Sequence, residues 1–391
     1  MKILILNYIY TPYQKGGAEV STQLLAESLV KLGNEVHVCT TAQENKTEII
    51  NQVIVHRLKE HNIYWSFYNE GVPLYKKLIW HTIDIYNIFN VRDIVKMLED
   101  VRPDVIHTNV ISGFSSVVWK IAKKKNIPVV HTMRDYYLTC VKSTRFNKGR
   151  VCNKSCKLCK YYSLPKRYLS KYVDAVVGIS KFILDFHLQN GYFDNAKKTS
   201  VIYNAVKDIE FTGNFERRSV IGFLGRVHPS KGVELLIEAF LQTNSSQYTL
   251  EIGGNGDPKY ISFLKSKYQS EKVKFLGRVD AYSFLHSIEL LVVPSLWHEP
   301  FGRVIVEANA CGCPVLVSNR GGMPELVNGT NGEVFELEKK EDLRNKLQDF
   351  VDGRNVFFID NTKLNIFNSD FIAKEYLEVY DFLINKNEDD C

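Results

Sequence analysis

The chain has 391 residues, 45% hydrophobic and 24% charged, an ordinary globular composition long enough for two cores. No apolar run reaches the roughly 18–20 residues of a membrane span, and MKILILNYIY lacks a small-residue cleavage site before TPYQKGG, so it reads as a first strand rather than a signal peptide. The net charge of +6 is uneven: residues 1–205 hold 29 Lys/Arg against 16 Asp/Glu, and residues 206–391 hold 21 against 28, which points to two domains with different partners.

In chain order, KILILN is a short apolar run, the pattern of a strand buried on both faces. YTPYQKGGAEV is a loop carrying Gly16 and Gly17, EVSTQLLAESLVKLG has helical spacing and stops at Gly33, and EVHVCTT is a second strand. That βαβ opening implies a parallel sheet. DVIHTN, PVVHTM and DAVVGIS are further strands with helical segments between them. The grammar restarts near residue 218: SVIGFLGRV, YTLEIGGNG, VKFLGRV, LLVVPS and PVLVSN are strands, and VELLIEAFLQT, AYSFLHSI and RVIVEANACG are helices. The domain boundary is expected in 205–217, and SDFIAKEYLEVYDFLINK reads as a final amphipathic helix capped by Ser369 or Asp370.

In open α/β sheets ligands bind outside the carboxyl ends of the strands, and each motif below follows a strand. Arg226 and Lys231 flank HPS before a helix start, a loop suited to phosphate oxygens. Taken alone they read as two exposed loop cations. In HEPFGRVIVEANACG, Glu299 and Glu307 lie on either side of a helix start near Phe301–Arg303, whose first N–H groups form an anion site. Carboxylates are good acceptors for sugar hydroxyls. An isolated pair of that spacing is better read as one capping and one surface glutamate.

The combination is more specific. GGAEVSTQLLAESLVKLGNEVHV, YNAV at 203–206, GFLGRVHPSKGVELLIEAF, VKFLGRV and PSLWHEPFGRVIVEANACGCPVLVSNRGGMPELV resemble the retaining glycosyltransferases of family 4 over essentially the whole chain. The resemblance implies an α/β chain of GT-B architecture, two Rossmann-like doubly wound domains facing across a cleft. The implied domains are residues 1–205, binding acceptor and carrying a Cys-rich basic insertion at about 136–172; residues 206–369, binding the nucleotide sugar; and residues 370–391, a helix packing back on the first domain.

Carried over position by position, Arg226 and Lys231 would hold the diphosphate, Glu307 the ribose, and Glu299 the donor sugar. Phe301, Gly302 and Arg303 would line the sugar–phosphate site by their backbone. Arg278 and Val279 would sit by the base. Asn204 would be an interdomain residue, and Gly16 and Gly17 would let the first loop approach the phosphate without a Cβ in the way. Where many members have a His before an Asp, HTMRDYYLTC places Arg134 before Asp135. Arg is no base but can clamp an anion, so Arg134 and Asp135 stand with Glu299 as the expected catalytic residues. His131 stays open between a strand position and a cleft role. With no Asp-x-Asp in the donor motifs, no catalytic metal is expected.

Cys140, Cys152, Cys156 and Cys159 lie within 20 residues, a set that suits a structural zinc in a reduced protein. Residues 120–171 hold 15 basic side chains and a single acid, Asp135, with aromatics interleaved. Three partners fit that patch: an anionic membrane surface, a pyrophosphate-linked lipid acceptor, or nucleic acid.

The leading reading is a transferase moving sugar from a nucleotide-diphosphate sugar to a glycan or polyprenyl-linked acceptor in cell-surface polysaccharide or lipopolysaccharide synthesis. Its expected place is the cytoplasm, peripheral on the inner membrane face. A nucleotide-sugar epimerase or hydrolase on the same architecture is the enzymatic alternative. A zinc-stabilised nucleic-acid binder is disfavoured, because it leaves the acidic second half and its phosphate motifs unexplained. A nicotinamide dehydrogenase is disfavoured for want of G-x-G-x-x-G; GGNG at 253–256 is the nearest string.

Overall fold

A computed structural model describes residues 1–14, 16–68, 71–207, 217–244, 246–328, 331–354 and 361–389. Two compact units emerge. Unit 1 takes residues 1–145, 153–207 and the chain from Asn368 on; unit 2 takes 146–152 and the described residues from Arg217 to Phe367. The expected boundary, 205–217, falls largely on residues 208–216, outside the described residues.

Unit 1 opens with β1 (Lys2–Leu6), α1 (Gly17–Lys31), β2 (Glu35–Ala42), β3 (Lys46–Ile50) and β4 (Val53–Lys59). It continues with α2 (Leu74–Ile85), α3 (Val91–Val101), β5 (Val105–Thr108), α4 (Val117–Lys124) and β6 (Val129–Met133). A two-residue hairpin, β7 (Phe146–Asn147) with β8 (Arg150–Val151), precedes α5 (Lys157–Leu169), β9 (Ala175–Gly178), α6 (Lys181–Gln189) and β10 (Lys198–Val201). The sheet order is β10-β9-β6-β5-β1-β2-β4-β3, parallel except for the β3–β4 edge pair. β1, β5, β6 and β9 are buried along their length apart from Lys2, which is why they read as continuous apolar runs.

Unit 2 runs β11 (Arg218–Leu224), α7 (Val233–Leu241), β12 (Thr249–Gly253), α8 (Pro258–Lys267), β13 (Val273–Gly277), α9 (Ala281–Ser287) and β14 (Ile288–Val293). Then come α10 (Arg303–Ala310), β15 (Val315–Ser318), α11 (Met323–Val327), β16 (Gly332–Phe335) and α12 (Asp342–Val351). The six strands lie in the order β13-β12-β11-β14-β15-β16, all parallel. The chain therefore leaves β11 to one side and returns on the other with β14. This makes β11/β14 the topological switch point, where open α/β sheets take their ligands.

The last helix, α13 (Ser369–Asp389), packs on α1 within unit 1. Ile372, Ala373, Tyr376, Val379, Tyr380 and Leu383 enter the same core as the strands of the first sheet. Its cap is one residue earlier than the sequence suggests: Asn368 Oδ1 accepts the N–H groups of Asp370 (2.9 Å) and Phe371 (3.1 Å). Tyr380 Oη meets His107 Nδ1 at 2.7 Å, and His107 Nε2 meets Thr132 Oγ1 at 2.7 Å. Burial holds this imidazole well below its usual pKa, hence neutral.

Candidate active site

In unit 2 the expected donor residues follow the carboxyl ends of strands or lie on the helix that comes next. After β11 the chain turns through Gly225 and Arg226 to His228, whose Nδ1 accepts the Ser230 N–H at 3.2 Å and caps the turn carrying Lys231. Gly232, at φ +70°, starts α7 so close to the loop after β14 that a Cβ would lie 1.9 Å from Pro294 O. The two loops are joined there by the Leu296 N–H, which donates to Ser230 O at 2.8 Å.

At that junction Lys231 Nζ forms an ion pair with Glu299 Oε1. Ser295 Oγ donates to the same oxygen at 2.7 Å and Trp297 Nε1 at 2.8 Å. Lys231 Nζ also lies 5.3 Å from the centre of the Trp297 ring. All three donors converge on Oε1, and Oε2 has no partner among the described residues. Glu299 is buried; its backbone is fixed by the Gly322 N–H, which donates to Glu299 O at 2.8 Å, and by Gly321, where a Cβ would come within 2.0 Å of that oxygen.

Glu307 repeats the arrangement one helix further on. Arg303 Nη2 and Nε donate to Glu307 Oε1 at 2.8 and 3.2 Å, and Oε2 again has no partner among the described residues. Tyr282 adjoins it: burial first, then the Glu307 charge, push the phenol up to about 12. Gly302, at φ +106°, caps α10 with Phe301 buried beneath it. The first N–H groups of α10 stand where the sequence places the anion site.

Arg226 is exposed and makes no hydrogen bond or ion pair with any described residue. His228 registers the local charge: burial, then Arg226 and Lys231, hold its pKa down. Arg278 is exposed at the end of β13, and Val279 packs over Gly253, where a Cβ would lie 2.9 Å from Val279 Cγ2.

Sequence reasoning missed GGNG. It is no dinucleotide fingerprint; it backs the Arg226 loop. The Gly225 N–H donates to Gly253 O at 3.0 Å and the Val227 N–H to Asn255 O at 2.9 Å. A Cβ on Gly254 would lie 1.8 Å from Gly225 O, and one on Gly256 2.0 Å from Val227 O. Ser295, Trp297 and Gly321 were missed as well; only their placement in PSLWHEP and SNRGG, beside the glutamate motif, carried a signal.

Unit 1 gathers a second cluster at its own carboxyl edge. Arg134, buried at the end of β6, donates through Nε to Asn109 Oδ1 at 2.7 Å and through Nη1 to Asn204 Oδ1. Asn204 is thus tied to Arg134. Asp135 accepts the Tyr137 N–H at 2.8 Å. Burial raises its carboxyl to about 6, with the Cys140 and Glu19 charges adding and the Tyr137 N–H and Lys166 opposing. Glu19 Oε2 accepts the Gly16 N–H at 2.9 Å. A Cβ on Gly16 would meet nothing nearer than 3.9 Å, so its surroundings are open, and Gly17 is the first residue of α1. His131 is a core residue, stacked on Phe193 and edge-to-face with Trp119, with Nδ1 on Thr108 Oγ1 at 2.9 Å.

The cysteine segment divides. Cys140 and Cys159 thiols are in hydrogen-bond contact, and Cys156 Sγ accepts the Cys159 N–H at 3.5 Å. These three belong to unit 1 and Cys152 to unit 2. Among the described residues no group of three or more His, Cys, Asp or Glu is arranged to hold a metal ion.

Known proteins resemble this chain in sequence and fold. A family model described as "Glycosyltransferase Family 4" matches residues 15–208, and one described as "Glycosyl transferases group 1" matches 206–363. A 42.6 kDa protein in the cps region of Klebsiella pneumoniae is 35% identical over 389 residues, spanning 97% of this chain and 100% of the relative. A glycosyltransferase of Methanocaldococcus jannaschii is 29% identical over 420 residues, 97% and 98% of the two chains. The crystal structure of Anabaena HepE with UDP and glucose matches all of both chains at TM-score 0.65 and 21% identity, a likeness of fold.

Proposed function

This chain belongs to the glycosyltransferases of GT-B fold, and we propose that it is a retaining transferase that moves a sugar from a nucleotide-diphosphate donor to a glycan or lipid-linked acceptor in cell-surface polysaccharide synthesis. The observation that carries the donor reading is the Lys231–Glu299 pair at the β11/β14 switch point, beside the exposed Arg226 cation. Solved structures of similar fold hold UDP and UDP-glucose, and a close relative is encoded in a cps region.

Arg226, Lys231 and the first N–H groups of α10 take the diphosphate. As the bond from the anomeric carbon to the phosphate oxygen breaks, negative charge grows on the leaving nucleoside diphosphate, and cations beside it lower the barrier. Glu299 Oε2 takes a hydroxyl of the transferred sugar and Glu307 Oε2 the ribose. In both cases the cation on Oε1 orients the carboxylate. Arg278 and Val279 flank the base. In unit 1 the half-buried Asp135 accepts a hydrogen bond from a sugar hydroxyl, positioned by the Arg134–Asn109–Asn204 network.

A structural zinc would be held by Cys140, Cys152, Cys156 and Cys159. Zinc and iron analysis of purified protein tests it.

The reading is tested by offering UDP- and GDP-sugars with polyprenyl-diphosphate glycan acceptors and following nucleoside diphosphate release. Transfer with the anomeric configuration of the donor kept, read by NMR of the product, supports it. Release without any acceptor dependence favours the hydrolase.

A further inference from the structure

One feature of unit 1 is unused by the donor chemistry. α5 buries one stripe, Tyr162, Lys166 and Leu169, into the unit. A helix with one buried stripe should turn polar residues outward. Instead a second apolar stripe faces solvent: Leu158 is 45% exposed, Tyr161 62%, Leu164 59% and Tyr168 63%. The exposed positions around that stripe are basic: Lys154, Lys157, Lys160 and Arg167.

The neighbouring helix repeats the pattern. α2 packs on α5 through Tyr162, whose Oη meets Thr82 Oγ1 at 3.1 Å and donates to Leu78 O at 3.2 Å. α2 buries only Trp80 and Asp84 and exposes Leu74, Tyr75 and Ile79; Tyr86, Ile88 and Phe89 follow, also exposed. Lys120 Nζ on α4 lies 5.9 Å from the Tyr86 ring centre, adding a cation at that end.

Acids are sparse along these segments. Residues 71–92 contain one, Asp84, which is fully buried against the Gly113 N–H and Tyr137 Oη; residues 136–173 contain none. An apolar stripe rich in Tyr and Leu, bordered by lysines and poor in acids, has the composition of an interfacial helix on anionic lipid. A second copy of the chain is disfavoured as occupant, because it would bring the same positive charge face to face.

We propose that the exposed α2–α5 face of unit 1 docks the protein on an anionic bilayer, with the tyrosines and leucines in the headgroup layer and the lysines on lipid phosphates. No helix among the described residues is long and apolar enough to cross a membrane, so the attachment is peripheral. The proposal goes beyond the donor reading and stands apart from it.

The test is flotation of the full chain with phosphatidylcholine vesicles, with and without phosphatidylglycerol. Wild-type protein is expected to float with the anionic vesicles at low salt and to be released by high salt. Tyr161→Ser/Leu164→Ser and Lys157→Glu/Lys160→Glu are each expected to weaken binding at least about tenfold. All four side chains are exposed, so donor turnover with a soluble acceptor and melting temperature should be unchanged. Wild type that stays in buffer, or both double variants floating like wild type, overturns the proposal. Absent flotation together with a dimer in sedimentation velocity that Y161S/L164S splits assigns the face to a second copy and also overturns it.

Discussion

Lys231 and Glu299, 68 residues apart in the chain, are joined in an ion pair where β11 and β14 part. The pair explains why a lysine after one strand and a glutamate after another belong to one motif. The glutamate orients the cation, and the cation orients the glutamate, whose other oxygen has no partner among the described residues. Glu299→Gln keeps acceptor capacity for Ser295 and Trp297 but removes the charge. The expected result is a kcat about 100-fold lower with the fold retained by circular dichroism; near-normal turnover would remove Glu299 from the chemistry.

Glu307 sits with Arg303 on α10, where the proposal puts the ribose. Glu307→Gln should act on binding. The KM for the donor is expected to rise roughly 10-fold or more, about 1.4 kcal/mol, while kcat changes less than in Glu299→Gln. Steady-state kinetics on the two variants separates the roles.

The GGNG loop has a steric reason. Gly254→Ala places a Cβ 1.8 Å from Gly225 O at φ +130°. The Arg226 loop must move, so melting temperature and donor affinity should fall together. Gly353→Ala is the control: its φ is +69° but a Cβ meets nothing within 4 Å. Only a backbone penalty of roughly 1 kcal/mol and unchanged donor affinity are expected there.

Asp135 gives the pH dependence a sign. Its folded-state pKa of about 6 lies above the ordinary 3.8, with burial as the first cause. The native state therefore holds this proton between those values, and the group's contribution to stability falls as pH rises through that window. Activity runs the other way, because a hydrogen-bond-accepting carboxylate is lost as pH drops below about 6. Asp135→Asn should lower turnover, flatten the acid limb of the kcat profile, and remove the stability slope. An unchanged acid limb would place the controlling group elsewhere.

The docking of α13 rests on a buried polar bridge. Tyr380→Phe removes the hydroxyl from His107 Nδ1 and leaves that nitrogen without its partner in a core that excludes water. A loss of roughly 1–3 kcal/mol is expected, read as a lower melting temperature with unchanged donor KM.

Much of this was legible in the sequence because buried parallel strands announce themselves as apolar runs, and glycines and prolines punctuate them. β1, β5, β6, β9, β11, β14 and β15 all appear that way, and helix starts such as Gly302–Arg303 follow from the strand before them. The β3–β4 hairpin was invisible because an edge pair with half-exposed residues carries weak periodicity. α2 was invisible because its exposed face is apolar, which erases the amphipathic signal. The site residues were named but their partnerships were not: Lys231 with Glu299 and Arg134 with Asn204 are set by sheet order, which local sequence does not encode. GGNG was read for a fingerprint it lacks, since its use depends on the neighbouring strand's backbone.

The central claim is that Lys231 and Arg226 hold the diphosphate of a nucleotide sugar. Calorimetric titration of the donor that supports turnover, against wild type, Lys231→Ala and Arg226→Ala, tests it most directly. Affinity should fall at least about 10-fold in each variant, with a matching loss for the free nucleoside diphosphate and little change for the nucleoside. Equal affinity of wild type and both variants for the nucleoside diphosphate would contradict it.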